Sequence, residues 1–182
     1  MLACHAPGGS SGRPGSDLAV RPGSRQSSPQ LTRVPLAGHD YLMKKIRFSD
    51  IDAEVPQQRP GIYEIYTDSD APLKVGISVD LHRRLKEHLS SADRYLEWAD
   101  GANRDDPAMV TSKRSILAKH LYFDTSITHE FDLQTESGRQ RFLNERCHVK
   151  FEITKSREEA RKLEIPKEQS GLFRYTGKAR RR

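Results

Sequence analysis

The sequence predicts an α+β fold, a small antiparallel sheet of three strands flanked by helices. Three observations carry that prediction. Two short apolar runs stand either side of the polar stretch Thr67-Asp68-Ser69-Asp70-Ala71-Pro72, the pattern of a β-hairpin. Leu81, Leu85 and Leu89 then recur at helical spacing and form one apolar stripe. Late in the chain, Val149 to Ile153 alternates β-forming residues just before Ser156-Arg157-Glu158-Glu159, which reads as a capping box opening a helix.

Taken in order, residues 1–36 are rich in Gly, Pro, Ser and Arg and lack apolar periodicity, so they cannot bury enough surface to offset their ordering entropy. This tail is expected to be disordered. Arg13, Arg21, Arg25 and Arg33 offer loose phosphate contacts, although the simpler expectation is that the tail contributes nothing. Residues 37–59 form an N-terminal extension, with a short element over Tyr41 to Phe48 and a connector from Pro56 to Pro60. Strands are predicted at 61–67 and 72–77, then Ser78 as N-cap of a helix over 79–90 that Tyr95, Leu96 and Trp98 would extend. An insertion at about 91–147 holds a polar loop from Gly101 to Pro107 and two helices, Ser112 to Leu121 and Glu136 to Arg146, the second burying Phe142 and Leu143. The third strand follows, and the last helix runs through Leu163-Glu164 until Pro166 ends or kinks it. The folded domain thus covers 60–177, and 178–182 is a basic tail.

Composition narrows the function. The chain of 182 residues has room for one domain with a real core. It carries 31 Lys and Arg against 25 Asp and Glu, a net charge of +6, and its pI is near 9.4. Such a balance suits a polyanionic partner, because cations that neutralise phosphates release condensed counterions. Cys4 and Cys147 make neither a disulfide framework nor a zinc site, so a reducing, cytoplasmic location is expected. No apolar run is long enough to span a membrane, and the first residues lack the order of a secretion signal.

The residues that invite chemistry lie on the hairpin and the two capped helices. On the first helix Arg84 and His88 edge the leucine stripe, while Arg83, Lys86 and Glu87 point away as solvated charges. The ordinary reading pairs Arg84 with a surface acid and packs His88 half-buried. On the last helix Glu164 lies within about 40° of Ala160, on the side facing the core. A carboxylate there needs a cation or hydrogen bonds, and an arginine partner is the ordinary reading.

Gly61-Ile62-Tyr63, the ten residues from Glu64 to Leu73, Lys74-Val75-Gly76, the Leu81/Arg84/His88 helix and a late glutamate on a capped helix come in one register. In this the chain resembles the GIY-YIG nuclease family over roughly Pro60 to Leu172. The resemblance implies a three-stranded antiparallel sheet flanked by helices, DNA as the partner, and Mg²⁺- or Mn²⁺-dependent phosphodiester hydrolysis. It implies Tyr63 as general base or water-orienting group, Arg84 as phosphate clamp, His88 as its assistant, and Glu164 as the single metal ligand. Lys74 stands where the family usually has tyrosine. Two consequences are open: the lysine supplies charge that lowers the phenol pKa, or the site has lost a component and the domain is a catalytically inactive nucleic-acid-binding module. The first is preferred because a donor is retained and positive charge is added. Arg83 and, on the insertion, Lys113 and Arg114 are further candidates for contacting nucleic-acid backbone. The late asparagine common in the family has no counterpart; Arg174-Tyr175-Thr176-Gly177 stands near its place.

Overall fold

Residues 43–101, 103–110, 116–127 and 130–176 are described by a computed structural model of the chain. The chain divides into two units, Met1–Gly38 and His39–Arg182. The first unit, the predicted tails at 1–36 and 178–182, and Lys113 and Arg114 lie outside the described residues.

The second unit is α+β, as the hydrophobic pattern requires, but its antiparallel sheet has four strands rather than three. They are β1 (Lys44–Arg47), β2 (Gly61–Thr67), β3 (Pro72–Ser78) and β4 (Cys147–Ile153), arranged β1-β4-β2-β3. The additional strand is the short element expected between Tyr41 and Phe48. Its four residues alternate in burial so that only Ile46 faces the core, opposite Val149. With three polar residues in four, it shows little of the apolar content that marks a strand in sequence. A 3₁₀ turn (Phe48–Asp50) and a short helix α1 (Ile51–Glu54) follow, burying Phe48 and Ile51. The remaining helices are α2 (Leu81–Ser90), α3 (Ile116–Phe123), α4 (Glu136–Arg146) and α5 (Arg157–Gln169).

The register sorts the side chains into two layers. Tyr63 lies opposite both Gly76 and Phe151, and Ile65 opposite both Lys74 and Val149, so these share one face. That face carries the main core, closed by Leu81 and Leu85 of α2, Leu117 and Leu121 of α3, and Phe142 and Leu143 of α4. Ile62 and Val75 occupy the other face, where Leu163 of α5 and Phe173 cover them. Gly61 is needed for the first layer: a Cβ there would meet the Glu152 carbonyl oxygen at 2.2 Å and Leu81 Cδ1 at 2.4 Å. Its missing side chain lets the start of α2 settle onto the sheet.

Several helix boundaries differ from the sequence expectation. The N-cap of α2 is Asp80, whose carboxylate accepts from the Arg83 amide, while Ser78 ends β3 and its hydroxyl donates to the Asp80 carbonyl. The same helix does not continue to Trp98. It stops at Ser91, which adopts φ 43° and ψ 32°, a left-handed conformation costly for a residue with a Cβ. Buried Arg139 of α4 holds that stop: its guanidinium donates to the Ser91 carbonyl and hydroxyl, to the Leu133 and Gln134 carbonyls, and to Asp93. Trp98 packs edge-on against Tyr122 and Phe123 instead. Pro166 lies within α5, which continues past it to Gln169. The capping box forms at Ser156, which accepts from the Glu159 amide, although the Glu159 carboxylate reaches back to Lys155 rather than to Ser156 itself.

After α5 the chain returns to the edge of β3, where the Arg174 and Tyr175 amides donate to the Pro72 and Leu73 carbonyls. Asp124, at the end of α3, takes a two-pronged Arg174 and the Tyr175 hydroxyl. Burial pushes the Asp124 carboxyl up, but these bonds and those from Ser126 outweigh it and bring its pKa down from 3.8 to about 2.

Arg139→Leu is expected to cost about 3 kcal/mol or more, because several buried carbonyls lose their donor and Ser91 its restraint. Urea unfolding of the variant beside the parent protein checks this.

Candidate functional site

Tyr63 owes its position to the glycine across the ladder. A Cβ on Gly76 would lie 2.5 Å from the Tyr63 hydroxyl and 2.7 Å from Cζ, so the ring lies flat over the space that residue 76 leaves open. Running along the sheet in this way, the phenol reaches the first turns of α2. Its oxygen is 2.7 Å from His88 Nε2, and the two rings are tilted by 56°. Arg84, one turn before His88, lies near enough for its charge to act on the phenol. Of a neutral phenol and a neutral imidazole in contact, the phenol is the stronger acid and donates its proton to Nε2. His88 then carries its proton on Nδ1, a buried atom without a hydrogen-bond partner in this structure.

Arg84 is less enclosed, with its side chain 28% exposed, and its Nη1 contacts Glu87 Oε2 at 3.1 Å. Glu87 therefore does not point away as a solvated charge; it turns back to Arg84 and also meets Arg83 at 3.4 Å. Arg83 is exposed and shared between Glu87 and Asp80. Lys74 lies on the same sheet face as Tyr63 and is buried. Burial lowers its pKa first and the Arg84 charge adds to that, while Glu168 and Glu164 of α5 act against both.

Glu164 is buried beside Ala160, as the helical phase predicts. Its Oε2 is held by Arg161, three residues earlier on α5. That arginine is half exposed and also lies 3.4 Å from Glu168. The engaging cation is thus a surface side chain, not one sealed in the interior. Glu164 also acts electrostatically on Tyr63 and on Lys74. Tyr63, Lys74, Arg84, His88 and Glu164, drawn from β2, β3, α2 and α5, accordingly belong to one interacting group.

The expectation of a phenol activated by Lys74 is not met, since Lys74 is not among the groups that move the Tyr63 pKa and the net shift is upward. Burial raises the Tyr63 pKa, and it outweighs Arg84, which lowers it by charge and hydrogen bond; Glu164 and Glu87 raise it further. Tyr63 is therefore a neutral phenol at rest. Burial, and then the Arg84 and Lys74 charges, hold His88 well below its ordinary 6.5, so the imidazole is neutral as well. Tyr63 and His88 are each 1% exposed, and the group is closed rather than an open cleft.

As to metal, no group of three or more His, Cys, Asp or Glu suited to an ion occurs among the described residues. Glu164 is a lone carboxylate whose present partner is a displaceable surface arginine. Such a donor fits a hard cation that keeps most of its waters, and does not fit a resident zinc or calcium cage. No family model, curated protein or solved structure gives a match to the chain.

Glu87, Arg161 and Arg139 hold members of this group or the helix that carries them, and none was singled out by number in the sequence as a partner. The first two carried a signal: each stands three residues from the charge it partners, on one helix face. Arg139 carried none, since a single arginine in a polar helix looks like a solvated charge. The C-terminal Arg174 and Tyr175 are committed to Asp124 and do not complete the site.

Two outcomes are expected. Gly76→Ala pushes a methyl group into the Tyr63 ring and lowers stability by about 1–3 kcal/mol, read by denaturant unfolding. His88 binds fewer protons folded than unfolded below its ordinary pKa, so stability rises with pH there and falls as pH drops from about 7 toward 5. His148, whose pKa burial also lowers, adds to the same slope. His88→Gln should flatten it by up to about 1.4 kcal/mol per pH unit in thermal or urea unfolding. Asp124 works in a separate window: its contribution is present above 3.8 and is lost as pH falls through about 2.

Proposed function

We propose that this protein is a metal-dependent endonuclease of GIY-YIG-like type that hydrolyses phosphodiester bonds in DNA. The observation that carries the reading is the contact of the Tyr63 phenol with His88, beside the Arg84 charge and with Lys74 and Glu164 acting on the same group. Those side chains span a hundred residues of sequence, and four secondary-structure elements are needed to assemble them.

The chemistry follows from the protonation states. Arg84 offers a planar fork of donors and is the exposed member, so an arriving diester takes it from Glu87. A water attacking phosphorus must lose a proton as it bonds. Tyr63 accepts that proton while passing its own to His88 Nε2, a neutral acceptor already at hydrogen-bond distance. Lys74 contributes positive charge beside the phenol and a donor for a phosphoryl oxygen. Glu164 would hold Mg²⁺ or Mn²⁺, which when bound supplies charge relief at the phosphoryl and leaving oxygens.

A second reading is favoured by one specific observation, the 1% exposure of Tyr63 and His88. A phenol sealed from solvent suits a module that binds nucleic acid through Arg84 and its neighbours and does not cut.

Supercoiled plasmid mixed with purified protein and Mg²⁺ separates the two. The wild type should nick it, and Tyr63→Phe, Arg84→Ala and Glu164→Ala should each lose about 100-fold or more in rate. Equal nicking by wild type and Glu164→Ala would overturn the nuclease reading. Salt-sensitive binding that chelator leaves unchanged, with no cutting by any variant, would establish the second.

A further inference from the structure

We propose that Arg161 is a built-in occupant of the metal-ligating carboxylate, held on Glu164 in the absence of metal and moving to Glu168 when a divalent cation binds. The inference rests on the reading of Glu164 as a metal ligand and extends it to residues to which the resemblance assigns no role.

Three residues of one helix face make the device. Glu164 and Glu168 are one turn apart on α5, and Arg161 is one turn before Glu164, so a single guanidinium reaches both acids. Its Nη1 is bonded to Glu164 Oε2 and stands 3.4 Å from Glu168 Oε2. The guanidinium therefore already has its second resting place within reach. The two acids differ in surroundings. Glu164 is 7% exposed at its side chain, whereas Glu168 is 40% exposed and Arg161 50%.

Those exposures set the direction of exchange. A nearly buried carboxylate needs a compensating cation, because water cannot solvate it adequately. Arg161 meets that need while the protein is free. A hard divalent cation brings twice the charge and its own waters, and it takes the same oxygen. The displaced guanidinium does not have to go fully into water, since Glu168 receives it. Exchange of partners on a half-exposed helix face costs little, because exposed ion pairs contribute only weakly. Metal affinity in the free protein is then set by competition with a side chain and not by Glu164 alone.

Mn²⁺ alone, titrated into the full-length protein without nucleic acid, tests this through loss of the free-ion electron paramagnetic resonance signal. Arg161→Ala removes the competitor and should bind Mn²⁺ up to about fivefold more tightly than the parent. Glu168→Gln removes the receiving acid and should bind more weakly. In the Arg161→Ala background, Glu168→Gln should have no further effect, because no guanidinium remains to be received. Unchanged or weaker binding by Arg161→Ala overturns the proposal, while Glu164→Gln still abolishing binding would leave the metal reading intact. An equal weakening by Glu168→Gln in both backgrounds also overturns it and makes Glu168 a ligand instead. If parent, Arg161→Ala and Glu164→Gln take up Mn²⁺ alike, the metal reading fails with it.

Discussion

The Tyr63 ring lies over the bare backbone of Gly76, and the arrangement of this protein follows from that contact. A strand side chain ordinarily stands perpendicular to its sheet and packs against the layer above. Tyr63 instead lies along the sheet, because the neighbouring strand presents no Cβ at that point. The consequence is reach: the phenol oxygen arrives at His88 Nε2, on the helix turn after Arg84. The rest of α2 must then be held in phase, and its two ends are fixed separately. Asp80 caps the start, and Arg139 fastens Ser91 at the stop. An arginine from the insertion therefore determines where the arginine and histidine of α2 stand.

Charge handling is the second organising constraint. The unit buries several ionisable side chains around a modest core, and three of them show how partners compensate a buried charge. Arg139 spends its donors on carbonyls and one acid, Asp124 takes Arg174 and Tyr175, and Glu64 takes Lys167 at 2.6 Å and the Tyr66 hydroxyl. These partners come from distant parts of the chain, so the polar contacts also define which segments meet. The Asp124 network, for example, joins the end of α3 to the segment that lines the β3 edge. That edge is thereby covered in part, which removes a site for unwanted strand pairing. Leaving either acid without its partners would strand a buried charge, a larger loss than the pair itself contributes.

How far these features were legible in the sequence depends on whether they were local. The hairpin, the leucine stripe of α2, the capped start of α5 and the inward phase of Glu164 were readable because each is set by neighbours within a few residues. The convergence of Tyr63, Arg84 and His88 was readable for a related reason: two helical residues four apart must face the strand their stripe packs on. What was not legible depended on contacts distant in sequence. The fourth strand has one apolar residue and gains its place from β4. Ser91 halts α2 in a left-handed conformation only because Arg139 waits there, 48 residues on. Burial of the phenol was equally hidden, since it depends on the packing of the whole core and not on neighbours in sequence. The expected phenolate therefore gave way to a neutral phenol beside a neutral imidazole.

That neutral pair explains why the resting group can be closed at all. A preformed phenolate would need Arg84 and Lys74 permanently beside it, and both cations would then be unavailable to a phosphate. With the proton retained, Arg84 is balanced by Glu87 and Glu164 by Arg161, and each balancing residue is at least partly exposed. Arg84 and Glu164 are thus held by partners that solvent reaches, while Tyr63 of the sheet and His88 of α2 are held by each other in the interior.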